Sequence, residues 1–178
     1  MVVTKEFQSI HVPVAMGGTP VANEWTMTEK KEPVDERWSS YPETVLHFSG
    51  EAPVMIDLRV ELSPTLRKGL AALGLAGEFA VVTAFNPRGV DSSEEENEGR
   101  MRELEAELES AGERFVRLDA CSPDKSHCEC SVAIETARER AIDIAKRFEQ
   151  VAIFWYDGGR FWIYGARSDA DPIPLPVS

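Results

Sequence analysis

A regular alternation of strand-like and helix-like segments begins at residue 79 and sets the strongest limit on the fold. FAVVTAF, residues 79–85, is almost continuously apolar, which is typical of a strand that is buried on both faces. The segments predicted to follow are a helix over 91–110, strands over 114–120 and 130–134, a helix from 136, and strands over 151–156 and 160–165. This order predicts an α+β chain, specifically a ferredoxin-like split β-α-β sandwich with an added C-terminal strand.

The handedness of the connections then predicts the strand order. Right-handed crossovers make the strands that begin at Phe79 and Arg114 parallel. The strand from Cys130 is expected to lie antiparallel between them, and the strand from Val151 beside the first. The helices should begin at Ser92 or Ser93 and at a capping box formed by Thr136 and Glu139.

The segments outside this unit give weaker signals. Prolines and glycines interrupt residues 1–40, so we expect an N-terminal extension there. Residues 44–48 and 54–58 are typical of a β-hairpin, and Ser63 with Pro64 predicts the start of a short helix that ends near Gly74. A single α+β domain over 41–166 and an extended or disordered tail over 167–178 complete the prediction.

Charge and hydropathy exclude several functional classes. The formal net charge of −12 would repel nucleic acid unless a basic face were segregated, and no basic cluster is present in the sequence. The sequence has no run of eighteen apolar residues, so we expect no membrane span. Without a secretory signal the predicted location is the cytoplasm, where a disulfide is not expected. Aromatic side chains in the last hairpin leave a homodimer possible.

Four polar residues are predicted to meet at one edge of the sandwich. Asn86 ends the first central strand, Asn97 lies early in the next helix, Glu129 precedes a strand, and Gln150 opens another. Their amides and carboxylate are suited to hydrogen-bonding a small polar ligand or a partner's backbone. Each of the three amides is also compatible with a purely structural role, in which it serves nearby backbone groups.

All three cysteines fall in CSPDKSHCEC, residues 121–130. Strand alternation places Cys128 and Cys130 on the same face as Val132, as small core residues. The potential zinc ligands in this segment are Cys121, His127, Cys128 and Cys130. They lack the usual C-x-x-C spacing, so the sequence predicts no metal, and no cofactor motif is found elsewhere.

Several short motifs in this order are similar to those of a bacterial family catalogued as domain of unknown function 3293. They are TAFNP at 83–87, EEEN at 94–97, ECS at 129–131 and FEQVAIFW at 148–155. The resemblance covers roughly residues 40–165 and implies no established activity. Family members tend to carry glycine and tryptophan before the glutamate, where this chain has Ser126, His127 and Cys128.

The sequence thus favours a non-enzymatic module that binds a small ligand or a protein through Asn86, Asn97, Glu129 and Gln150. One alternative is a small hydrolase or transferase in which Glu129 is the general base. The other is a metal-binding protein that uses the cysteine segment. Whether the chain is an enzyme stays open at this point.

Overall fold

The computed structural model describes residues 36–168 and 170–177. Residues 1–35 of the predicted N-terminal extension lie outside the described residues, and its last part enters a 3-10 helix over Glu36–Glu43. None of the helices in the described ranges is long and apolar enough to cross a lipid bilayer.

Three α-helices, eight strands and a second 3-10 helix over Pro87–Gly89 follow the first 3-10 helix and confirm an α+β chain. The helices are α1 (Pro64–Ala72), α2 (Glu94–Ser110) and α3 (Arg138–Arg147). The strands are β1 (Val45–Phe48), β2 (Val54–Asp57), β3 (Phe79–Thr83), β4 (Phe115–Cys121), β5 (Cys128–Ile134), β6 (Ala152–Tyr156), β7 (Phe161–Gly165) and β8 (Ile173–Leu175).

All eight strands form one sheet in the order β2-β1-β4-β5-β3-β6-β7-β8. Every pairing in it is antiparallel. Because β5 pairs with both β3 and β4, those two strands run parallel to each other, with β5 between them. The β1–β2 hairpin extends the sheet through β4, a pairing that the sequence pattern did not indicate.

The sheet is covered on both faces, which explains the apolar run of β3. Ala80 and Val82 pack with the inner faces of α2 and α3. Phe79 and Val81 point to the opposite face and pack with residues of the β1–β2 hairpin and α1. The 3-10 helix adds Trp38 and Tyr41 to this second face. Polar groups at the end of β3 therefore lie between two hydrophobic cores.

The caps of α1 and α2 are as predicted, whereas that of α3 is not. Ser63 and Ser93 each accept a hydrogen bond from the backbone three residues on, and Ser93 forms a full capping box with Glu96. The predicted capping box of α3 is wrong, because the cap is Ala137 rather than Thr136. The N-cap lies one residue later than expected, so Glu139 is the second helical residue and cannot reach back as the third must.

The tail prediction also needs correction, because residues 173–175 form β8 on the outer edge of β7. These residues are part of the sheet rather than a tail outside it. Pro174 has no N–H to donate, which an edge strand tolerates on its outer side. Leu175 is buried in the core and holds the strand in place.

Candidate functional site

A cavity of about 430 Å³ opens beyond the end of β3, on the sheet face opposite α2 and α3. Its floor is largely apolar and includes Val81, Ala120, Phe154 and Ile163. Side chains of Tyr41, Glu43, Asn86, Asp91, His127, Glu129 and Gln150 line the rest. The cavity is therefore an apolar pocket with a polar wall on one side.

Three of the four predicted site residues lie in this polar wall. Asn86 follows β3, Glu129 lies in β5, and Gln150 precedes β6, so neighbouring strands bring them together. Asn97 is on α2 behind the wall, where it is 6% exposed and contacts Asn86. The four residues are thus adjacent, although Asn97 does not line the cavity.

Asn86 is the centre of the hydrogen-bond network in the wall. Its backbone N–H donates to Asn97 Oδ1 at 2.8 Å, and Asn97 Nδ2 donates back to Asn86 Oδ1 at 3.0 Å. Asn86 Nδ2 then donates to Glu129 Oε1 at 2.8 Å. The network links the end of β3 to α2 on one side and to β5 on the other, so it fixes the Glu129 carboxylate in the wall.

The loop after β3 has an unusual backbone. Asn86 and Arg88 both have positive φ, at 48° and 59°, and Glu149 on the facing loop has φ of 58°. Positive φ is uncommon outside glycine and persists where the surroundings enforce it. Here Arg88 N donates to Glu149 O at 2.7 Å, and the two side chains form an ion pair. The loops that carry Asn86 and Gln150 are thereby joined.

Gln150 presents an unused acceptor. Its side chain is 6% exposed, and Nε2 donates to the carbonyls of Phe85 at 2.8 Å and Phe148 at 3.3 Å. Two carbonyl acceptors fix the orientation of the amide, because only its NH₂ group can donate. The other end, Oε1, accepts no hydrogen bond from the described residues and belongs to a residue of the cavity wall.

In the sequence His127 was considered only as a metal ligand, and the structure gives it a different neighbour. Its Nε2 lies 3.2 Å from Glu129 Oε1, and both side chains line the cavity. The two-residue spacing in an extended segment places both on one face, which is a signal the sequence contains. Tyr41 also lines the cavity, and no local pattern around it indicates that position.

The cysteines depart from the prediction. Cys121 and Cys128 form a disulfide, although none was expected. Strand β4 ends one residue later and β5 begins two residues earlier than predicted, which places these two residues opposite each other. Cys128 is exposed rather than in the core, whereas Cys130 packs against the helix-side core as the strand alternation predicts.

Zinc binds cysteine as the thiolate, and Cys121 and Cys128 are joined in the disulfide. Two of the four potential zinc ligands in the segment therefore cannot bind zinc. In the described part of the chain, no three His, Cys, Asp or Glu side chains are grouped so as to hold a metal ion. Burial raises the pKa of the remaining thiol, Cys130, and the nearby carboxylates of Asp119 and Glu105 raise it further against an opposing effect of Arg117.

Comparison with known proteins gives one match. A family model described as a protein of unknown function, DUF3293, matches residues 82–153, which contain Asn86, Asn97, Glu129 and Gln150. No curated protein and no solved structure matches the chain.

Proposed function

We propose that this chain is a small-ligand-binding protein of the DUF3293 family, whose function is unknown and whose model matches residues 82–153. The site is the cavity beyond β3. The observation that carries the proposal is a wall in which two buried amides, Asn86 and Gln150, stand beside the carboxylate of Glu129.

The size and lining of the cavity support this function. Small-molecule sites are typically concave, of roughly 300–1,000 Å³, and mostly apolar with a few fixed polar groups. A volume of about 430 Å³ over a floor that includes Val81, Phe154 and Ile163 fits that description. The floor would bury the body of a ligand, while the wall would set its orientation.

The rigidity of the wall supports it as well. Asn97 and Ser92 both bond Asn86 Oδ1, at 3.0 Å and 3.1 Å, so the side chain of Asn86 is held from two sides. A group held in its binding geometry before the ligand arrives loses little conformational entropy on binding. A structural role for Asn97 and a binding role for Glu129 are therefore compatible.

We also assign the unit from β3 to β6 to the ferredoxin-like arrangement. The order β4-β5-β3-β6, with α2 and α3 on one face, supports this assignment.

The proposal is tested with a fragment library screened by ¹H–¹⁵N NMR on the full chain and on Ala120→Phe. Ala120 lies in the cavity floor, so phenylalanine should occupy part of the cavity. We expect fragments that shift the amides of Asn86, Glu129 and Gln150, and loss of those shifts in Ala120→Phe. The matched control is Ala106→Phe, which adds the same volume on the exposed side of α2 and should bind as the parent does.

Two results would contradict the proposal. One is a screen in which no fragment shifts the amides of the cavity wall. The other is a set of hits whose affinity is equal in the parent chain and in a folded Ala120→Phe variant, because such hits bind elsewhere.

A second function, a hydrolase or transferase with Glu129 as general base, is favoured by one observation. His127 Nε2 lies 3.2 Å from Glu129 Oε1, so a proton donor and acceptor adjoin in the cavity. This candidate predicts hydrolysis of small ester or amide substrates that Glu129→Gln abolishes while fragment binding persists. Turnover that is unchanged in Glu129→Gln would exclude that role.

A further inference from the structure

We propose that Cys128 is a site of thiol–disulfide exchange with a small thiol, and that exchange there releases one side of the cavity rim. This redox control acts on the cavity of the proposed function, so its bearing on ligand binding rests on that function. It is supported by the position of the disulfide, by the unequal exposure of its two halves, and by the contacts of the loop between them.

The disulfide lies beside the cavity. It joins the last residue of β4 to the first residue of β5, and Cys121 lines the cavity together with Ser122 and His127. Residues 122–127, the rim loop, therefore form one side of the cavity rim. The disulfide closes the base of the rim loop.

The two halves of the disulfide differ in exposure. Cys128 is exposed, whereas Cys121 is 4% exposed. A thiolate breaks a disulfide by attacking one sulfur and displacing the other, and access helps to decide which sulfur is attacked. A small thiol from solvent therefore forms its S–S bond with Cys128. The bond to Cys121 breaks, and the Cys121 sulfur leaves as a thiolate that takes up a proton.

A second small thiol completes the reduction. It attacks the mixed disulfide, so that Cys128 leaves as a free thiol and the two small thiols depart joined as a disulfide. Two external thiols are thus oxidised for each protein disulfide that is reduced. Cys130 is a poor internal substitute for them, because it is half-buried and burial raises the pKa of its thiol.

Hydrogen bonds alone hold the rim loop to the sheet less firmly than the disulfide does. Ser122 N donates to His127 O at 2.8 Å. In an antiparallel ladder the adjacent pair, Cys121 and Cys128, then shares no backbone hydrogen bond, so the disulfide is the direct link between these two residues. The bonds to Asp124 come from residues of the loop itself and shape the loop without tying it to the sheet.

Reduction should therefore free His127 and leave Glu129 in place. From the rim loop, His127 Nε2 lies 3.2 Å from Glu129 Oε1. Glu129 is held independently by its pairing with Ala120 and by a hydrogen bond from Asn86 Nδ2 at 2.8 Å. The oxidised chain thus presents both side chains in fixed positions, whereas the reduced chain fixes the carboxylate alone.

Amide hydrogen exchange tests the release of the rim loop. The full chain is measured by NMR before and after treatment with dithiothreitol. A disulfide across a short loop limits opening of the chain by about tenfold or more. The Ser122 and His127 amides should therefore exchange about tenfold faster after reduction, while the amide of Val132 in β5 keeps its rate.

Two variants accompany this measurement. The double variant Cys121→Ser, Cys128→Ser lacks the disulfide and should match the reduced parent with or without dithiothreitol. The matched control is Cys130→Ser, which removes the cysteine outside the disulfide and should respond to dithiothreitol as the parent does. The comparison of the oxidised and reduced parent stands even if the double variant fails to fold.

Glutathione, a small monothiol, tests the site of exchange. The chain is treated briefly with reduced glutathione, its free thiols are alkylated, and its peptides are analysed by mass spectrometry. Glutathione should be found on Cys128 and the alkyl group on Cys121. Glutathione on Cys121 instead would overturn the assignment of Cys128.

Two exchange results would overturn the release of the rim loop. One is an equal exchange rate of the loop amides in both redox states, which would leave the proposed function intact. The other is faster exchange throughout β5, Val132 included, because the disulfide would then stabilise the whole domain rather than the rim. A fragment screen without hits contradicts the proposed function separately, since the exchange rates are measured without a ligand.

Discussion

Asn86 combines a backbone conformation and a hydrogen-bond pattern that suit asparagine in particular. Its φ of 48° lies in the left-handed region, which asparagine enters more readily than most residues. Both ends of its side chain are used, Oδ1 by Asn97 and Ser92, and Nδ2 by Glu129. One residue therefore connects β3, α2 and β5 and positions the carboxylate in the cavity wall.

Cys130 gives a prediction at the residue scale. Because its thiol is half-buried and its pKa is raised, mainly by burial, the reactive thiolate is scarce at neutral pH. We expect iodoacetamide to label the native chain slowly at pH 7.5, with a rate that rises with pH and is still rising above the ordinary thiol value of 9.0. Intact-mass spectrometry measures the rate.

The same experiment checks the disulfide. In denaturant without reductant one alkyl group should be added, since Cys121 and Cys128 are joined, and three should be added after reduction. Three additions without reductant would show that the disulfide is absent. Fast labelling of the native chain at pH 7.5 would contradict the shielded position of Cys130.

At the scale of elements, the loop between β4 and β5 is held by covalent and hydrogen bonds at its base and at its tip. The disulfide closes the base of the loop. Asp124 accepts hydrogen bonds from Ser126 N and from the hydroxyls of Ser122 and Ser126, which hold its pKa at about 2. The loop that carries His127 is therefore fixed, so its contact with Glu129 is defined by the hairpin.

Helix α2 gives a prediction at the scale of elements, because Asn97 follows the capped first residues of this helix. Ser93 Oγ accepts a hydrogen bond from Glu96 N at 3.3 Å, and the Glu96 carboxylate bonds back to Ser93. Loss of such a cap costs about 1 kcal/mol. We expect Ser93→Ala to lower the free energy of unfolding by about that amount in urea.

Ser92→Ala is the matched control. The Ser92 hydroxyl makes no hydrogen bond to the described residues, while its backbone groups bond Asn86 and Asn97 and are retained in alanine. It should unfold at nearly the parent urea concentration. Equal destabilisation by the two substitutions would mean that the cap does not stabilise α2.

At the scale of the whole molecule, β8 forms one edge of the sheet and contributes Leu175 to the hydrophobic core on the cavity side. Leu175 is 3% exposed and packs in the same hydrophobic core as Phe161 and Ile163. Truncation of a buried leucine typically costs about 2–5 kcal/mol. Leu175→Ala should therefore lower the free energy of unfolding by that order, measured in urea.

Val177→Ala controls for this change, because Val177 lies two residues further on and is 58% exposed. It should alter stability by less than about 0.5 kcal/mol. If Leu175→Ala were equally mild, the C-terminal strand would add little to the stability of the sheet.

The elements of this fold were largely predictable because their signals are local. The apolar run of β3, the serine cap of α2 and the apolar stripe over Met101, Leu104 and Leu108 each specify one element within a few residues. The adjacency of Asn86 and Glu129 was also predictable, because it follows from where their strands end and begin.

What the sequence did not indicate depends on contacts between distant segments. Tyr41 reaches the cavity because the β1–β2 hairpin pairs with β4, and nothing in the residues near Tyr41 encodes that pairing. The disulfide depends on where β4 ends and β5 begins, which is set by the pairing of the two strands. The strand formed by residues 173–175 was hidden by prolines that only an edge position tolerates.

The cavity floor has a consequence for how this protein can diverge. Val81 and Ile163 line the cavity and are at the same time buried in the core. A substitution there changes the core and the shape of the cavity together, whereas Asp91 and His127 lie at the solvent-exposed rim. Substitutions at the rim can therefore change the charge and polarity of the cavity entrance without disturbing the core, whereas substitutions in the floor cannot.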